Sequence, residues 1–262
     1  MYYGREFIKC INEVGPEKVK VVVTDNAPVM RAAWRIVEEE FPHITCIGCA
    51  AHSLDLIEDI MKMSSLVKIL KMGRVVINTV KNTARILVHF KRYQKEQQER
   101  SGIHVTALKL YPRTRFAYCV IMLQSLVRNK EPLQQTVLLR DLDIDRRVKT
   151  IALDEDYFWV RVEAWIAVLS PISKAINLIE ADDALLSDVP EAFYCISVDS
   201  LTEARNSPLQ KVERKLKRLI DDRKTFVIKN IHLAANALDP PYGGQHLTSE
   251  EKKLELWTIL PS

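Results

Sequence analysis

The feature that most constrains this chain is a short β-branched run over residues 19–23, interrupted only by Lys20 and closed by the polar cluster Thr24-Asp25-Asn26. Valine is stiff at χ1 and suits a pleated strand, and polar residues suit its carboxyl end, so Asp25 is expected at a strand tip. Pro28 fits the first turn of a following helix, where its missing N–H costs nothing, and Met30, Trp34 and Val37 keep one helical face up to Phe41-Pro42. Residues 44–47 then read as a second strand. Strand, helix and strand make one βαβ unit with parallel strands and a right-handed crossover. Two strands do not make a stable sheet alone, so these read as inner strands of a larger one whose faces would otherwise be partly uncovered, and self-association is expected.

Elsewhere the period is helical. Phe7, Ile8, Ile11 and Val14 make an opening amphipathic helix that Gly15-Pro16 stops, and Leu54, Ile57, Ile60, Leu66, Ile69, Leu70, Val76, Ile77, Val80, Ile86 and Leu87 continue the pattern up to the charged run 91–100. Pro112 breaks the chain, and amphipathic segments follow at 117–128, 157–179, 209–220 and 231–238 before a loop at Asp239-Pro240-Pro241 and Gly243-Gly244. With only 7 glycines against 11 prolines, tight hairpins should be few. The expected fold class is therefore α/β: a partial βαβ segment over residues 1–52, then a mostly α-helical domain over 53–262.

At 47% hydrophobic and 27% charged the chain is globular in composition, which excludes disorder for most of its length. Lysine and arginine number 38 against 34 acidic residues, a net charge of +4, so any nucleic-acid affinity must come from local patches. Five sparse cysteines fit reduced thiols in an intracellular compartment, the amino terminus shows no basic stretch followed by an apolar core, and no apolar run nears the roughly 20 residues that a membrane span needs.

Several constellations bear on chemistry. Asp25 offers a carboxylate to a hard cation, though two-metal phosphodiester chemistry needs several such groups, and its plain alternative is a turn or capping aspartate. His43, Cys46, Cys49 and His52 recur every third residue and invite a zinc reading, but residues three apart on a strand alternate faces, and no distant second ligand pair follows. A packed thiol beside a hydrogen-bonded imidazole is the better expectation. Thr114-Arg115-Phe116 reads as a helix start with Thr114 as cap and Phe116 in the core. Two basic sets, Lys81, Arg85, Lys91, Arg92 and Lys95, and Lys211, Arg214, Lys215, Lys217 and Arg218, fit solvated helix faces or DNA-backbone contacts. In the second, Val212, Leu216, Leu219 and Ile220 form the apolar stripe.

Taken in order, Val21-Val-Val-Thr-Asp25-Asn26-Ala27, Phe41-Pro42-His43, Cys49-Ala-Ala-His52-Ser-Leu-Asp-Leu56, Thr114-Arg115-Phe116 and Leu238-Asp239-Pro240 resemble the motifs of hAT-superfamily transposases and their domesticated descendants. The resemblance implies an RNase H-like catalytic core interrupted by a helical insertion domain, with Asp25 matching the second acidic position, which would bind Mg²⁺ or Mn²⁺. It implies that Cys49 and His52 form a Cys-x-x-His element with a structural or DNA-proximal role. Thr114, Arg115 and Phe116 match an element usually written Thr-Arg-Trp, whose aromatic residue lies by the DNA; here phenylalanine stands in for tryptophan and can still stack on a base. The family's first acidic residue would precede Met1 and its last would follow Ser262. The resulting expectation is an interior segment or domesticated derivative, catalytically incomplete as a lone chain, binding no metal by itself and keeping residual nucleic-acid binding. The alternatives are a part of an active transposase performing metal-dependent strand cleavage and transfer, and a structural interaction module. The implied partner is DNA, with no membrane, and the implied compartment is the nucleus, otherwise the cytoplasm.

Overall fold

A computed structural model describes residues 2–55, 58–102, 104, 106–110 and 116–253. Helix α1 (Tyr2–Val14) ends at Gly15, whose φ of 102° is one that side chains rarely adopt, and a single 3₁₀ turn at Pro16–Lys18 leads into strand β1 (Val21–Thr24). Pro28 starts helix α2 (Pro28–Glu40), which returns the chain to strand β2 (Thr45–Gly48), parallel to β1 with Val21 opposite Thr45 and Thr24 opposite Gly48. The expected βαβ segment followed by mostly helical structure is what the chain forms. Both strands begin later than their apolar runs, for local reasons. The Val19 N–H donates to the Pro16 carbonyl at 3.2 Å and the Ile44 N–H to the Phe41 carbonyl at 2.9 Å, so turns hold these residues back from the ladder.

Helices α3 (Ala50–Asp55), α4 (Glu58–Met61), α5 (Ser64–Asn82) and α6 (Ala84–Ser101) follow, and the rest is helical: α7 (Phe116–Arg128), α8 (Lys130–Val137), α9 (Arg146–Leu153), α10 (Val160–Ile179), α11 (Asp188–Cys195), α12 (Leu201–Arg205), α13 (Glu213–Val227) and α14 (Asn230–Leu238). Pro112 lies outside the described residues, as do Leu56 and Ile57. Two compact units result, one made of Met1–Ile57, Ala175–Cys195 and Ile220–Ser262, the other of Glu58–Lys174 and Ile196–Leu219. The first unit is thus assembled from three separate stretches of sequence.

In the first unit, α1 and α2 cover one face of the strand pair. Ile11, Val37, Ile44 and Cys46 are buried there, with Phe7, Ile8, Val19, Val22, Trp34 and Phe41 packed around them. Farther along, α11 and α14 are joined by polar bonds: Ser187 Oγ donates to Asp239 Oδ2 at 2.6 Å, Tyr242 OH to Asp188 Oδ1 at 2.5 Å, and Asn236 Nδ2 to the Ser187 carbonyl at 2.8 Å. His246 stacks on Tyr194 with ring centroids 3.8 Å apart and pairs with Glu191 at 2.8 Å. The bond to Asp188, with burial, holds the Tyr242 phenol well above its ordinary range.

The second unit has a dense apolar core. Leu66, Ile69, Ile77, Met122, Leu123, Leu126, Phe158, Trp159 and Trp165 are all fully buried, and the Trp159 indole N–H donates to the Ala152 carbonyl at 2.8 Å. The helical stretch Glu155–Ile179 is long and apolar enough by composition to cross a membrane. Its residues Phe158, Trp159, Val162, Trp165, Val168, Leu169 and Ile172 are instead buried in the protein.

Candidate functional site

Asp25 stands exposed at the carboxyl end of β1, where ligands of open α/β sheets commonly bind. Its Oδ1 accepts the Ala27 N–H at 2.9 Å, an Asx turn that launches α2, while no partner engages its second oxygen among the described residues. The geometry is thus that of a turn aspartate with one carboxylate oxygen left facing solvent. Thr24 Oγ1 donates to the Asp25 carbonyl at 2.8 Å and accepts the Trp34 indole N–H at 2.9 Å, which ties the strand tip to α2. Asn26 turns the other way: its Nδ2 donates to Ser53 Oγ at 2.7 Å, and Ser53 Oγ donates to the Cys49 carbonyl at 2.9 Å. A side chain at Gly48 would sit 1.9 Å from Asn26 Oδ1, so glycine is what lets the two strand ends close together.

Asn26, Arg31, Trp34, Ile47, Ser53, Phe226 and Lys229 are among the residues that line a groove of about 640 Å³ at this end of the sheet. Its described lining includes two cations and no carboxylate. Phe226 is 42% exposed, and Arg31, Arg223 and Lys229 each hold their charge 5.9 Å from its ring centre, at the outer limit of a cation–π contact. Sequence reading did not find this groove, because Phe226 and Lys229 come from the far end of the chain at the close of an ordinary amphipathic helix.

The remaining candidates are placed as follows. Cys46 is buried on β2, where burial first and the Glu38 charge second push its thiol up to about 11, so it stays protonated at neutral pH. His43 is exposed, with Nε2 at 2.9 Å from the Pro16 carbonyl and its ring edge-on to Phe41. Cys49 is half-buried just before α3, and its N–H donates to the Thr24 carbonyl at 2.6 Å. His52 is exposed on α3. Among the described residues no three of His, Cys, Asp and Glu gather to hold a metal ion. Thr114 and Arg115 lie outside the described residues, and Phe116 begins α7. Lys211, Arg214, Lys215, Lys217 and Arg218 are exposed along α13 and the turn before it, with Leu216 and Ile220 buried and Val212 and Leu219 half-buried beneath them.

The comparisons address only the amino-terminal part. Residues 2–76 match the family model of a domain of unknown function, DUF659. That stretch holds α1, the βαβ segment and most of α5. No curated protein and no solved structure matches the chain.

Proposed function

We propose that this protein is a transposase-derived, DNA-binding module whose contact with DNA is centred on the groove at the carboxyl edge of the β1–β2 pair. The observation that carries the reading is the charge of that groove: Arg31 and Lys229 line it, Arg223 flanks its exposed Phe226, and its described lining includes no carboxylate. Cations neutralise phosphates, and an exposed ring offers a stacking surface to an unpaired base. The ordered motifs from Asp25 to Asp239 support the ancestry, as does the DUF659 match, a domain found in transposase-related proteins.

A divalent site does not fit the residues described. Asp25 supplies one carboxylate with one oxygen already committed to the Ala27 N–H, and no second or third acidic ligand converges on it among the described residues. A part in strand cleavage and transfer is the second reading, favoured by the outward oxygen of Asp25.

Anisotropy of a fluorescein-labelled duplex, titrated with the full chain across a salt series, tests the first reading. Arg31→Ala combined with Lys229→Ala should weaken binding about tenfold at low salt and reduce the log–log salt slope by about 2. Absence of salt-sensitive binding would leave a protein-interaction module as the better description. Cleavage of the duplex in Mg²⁺ or Mn²⁺ that disappears in Asp25→Asn would replace binding with strand chemistry.

A further inference from the structure

The geometry points to a second ligand site, in the helical unit: a cation-rimmed cleft between α5 and the start of α9 that takes a nucleotide, free or as part of a strand. The cleft encloses about 970 Å³ and is lined by Ser64, Val67, Lys68, Lys71, Met72, Asp145, Arg146, Arg147, Thr150 and Ile151. Such a volume is at the upper end of ordinary small-ligand pockets.

Four cations converge on it from two helices far apart in sequence. Lys68 and Lys71 lie on neighbouring turns of α5, and Arg146 and Arg147 open α9. All four are exposed, and neither Lys71 nor Arg146 nor Arg147 has an ion-pair partner among the described residues. Lys68 holds its ammonium 4.4 Å from the Tyr157 ring centre. The one acidic residue among the described lining residues, Asp145, is turned to its own helix: its Oδ1 accepts the Arg147 N–H at 2.6 Å as the cap of α9. Elsewhere in this unit some cations are paired, Arg85 with Asp141, Arg92 with Glu96, Lys95 with Glu99 and Lys130 with Glu155. Three cations without an ion-pair partner among the described residues and a fourth set over an aromatic ring therefore face one cleft.

The lining narrows the ligand class. Val67, Met72 and Ile151 make an apolar floor, and Ile151 is buried. A bare inorganic anion would satisfy the cations and leave that floor wet, whereas a fatty carboxylate brings a single charge to four cations. A nucleotide supplies both halves: phosphates for the lysines and arginines, a flat base for the floor, and sugar hydroxyls within the range of Ser64 and Thr150. A thioether such as Met72 packs well against an aromatic face.

The test uses the full chain and three probes: ADP and inorganic phosphate by calorimetry, and a fluorescein-labelled oligothymidylate by anisotropy. Lys71→Glu combined with Arg146→Glu should weaken whichever of ADP and the oligothymidylate binds by about tenfold or more at low salt. Lys9→Glu combined with Lys18→Glu changes the net charge equally at exposed positions that do not line the cleft, and should cost less than about threefold. Binding of ADP assigns a free nucleotide, and binding of the oligothymidylate alone assigns a strand. Lys71→Gln with Arg146→Gln guards against misfolding of the reversed pair, and should give the same ranking with a smaller loss. Failure of both nucleotide probes, an equal loss in the distant pair, or phosphate binding as tightly as ADP would each overturn the assignment. The ADP arm makes this separable from the DNA reading of the groove, which Arg31 and Lys229 test.

Discussion

The helical unit and the βαβ segment solve the same problem, burying apolar surface, with very different completeness. In the helical unit aromatic side chains are closed off: Phe158, Trp159 and Trp165 have no exposed surface, and Phe158 and Trp159 meet edge-on at 5.0 Å between ring centres. In the βαβ segment one face of the strand pair is covered and the other only in part, for Ile47 on β2 is 3% exposed while its in-register neighbour Val23 on β1 is left open. Val22 packs inward with Ile44 and Cys46, while Val23, which must point the other way, is 50% exposed. A helix closes its own backbone bonds and needs neighbours on one stripe, whereas a strand in a parallel sheet needs cover on both faces. The difference therefore follows from the type of element rather than from the number of apolar residues available.

The largest effect that this contrast predicts is at Phe158. Phe158→Ala should cost about 3–5 kcal/mol, the range for emptying a closed aromatic site, read as a shift in the denaturant midpoint. A cost near 1 kcal/mol would mean that the helical core collapses easily around a void, and the contrast with the sheet would fail.

A second, somewhat smaller effect is specific to the first unit. His232 on α14 is 1% exposed and its Nδ1 accepts the Lys229 N–H at 3.0 Å, so the ring is held neutral. Burial first, and the Lys229 charge second, lower its pKa to about 4 from an ordinary 6.5. Since the folded value is the lower one, the unfolded chain binds the extra proton. The stabilisation is complete above pH 6.5 and is lost as the pH falls toward 4, amounting to about 3 kcal/mol over that window. His232→Gln should flatten the dependence. Hydrogen exchange at both ends of the window should show α14 amides losing protection while those of α5 change little. Equal loss in the two helices would show that the units open together.

Sequence alone made the first of these regions legible in outline. The switch from a β-branched run to a helical period, with Pro28 at the hinge between them, marked β1, α2 and β2, and placed Asp25 at the strand tip. The strand limits were misread by one or two residues because the Val19 and Ile44 N–H groups are taken by turn carbonyls, a choice that apolar pattern does not record. Helices α8, α9, α11 and α12 went unseen, being 8 residues or shorter and too brief to show a period. Neither cation-lined site was visible either. Each joins residues distant in the chain, Arg31 with Lys229 and Lys71 with Arg146, and each of those residues alone looks like part of a solvated helix face.

The smallest effect concerns the partly covered side of the sheet, and it separates folding from association. Val23→Ser removes apolar area that is already half in water, so its effect on stability should stay within about 0.5 kcal/mol. Its effect on association should be larger. The β2 strand has part of its main chain occupied by Glu38, whose Oε1 accepts the Cys46 N–H at 3.0 Å, and a carboxylate on a strand discourages pairing with another chain. Val23 on β1 is apolar and 50% exposed, so the wild-type chain should show concentration-dependent self-association by sedimentation, weakened in Val23→Ser. Identical sedimentation of the two proteins as monomers at every concentration would mean that Val23 is tolerated as isolated surface valine. The incomplete cover would then be a property of the packing with no consequence for assembly.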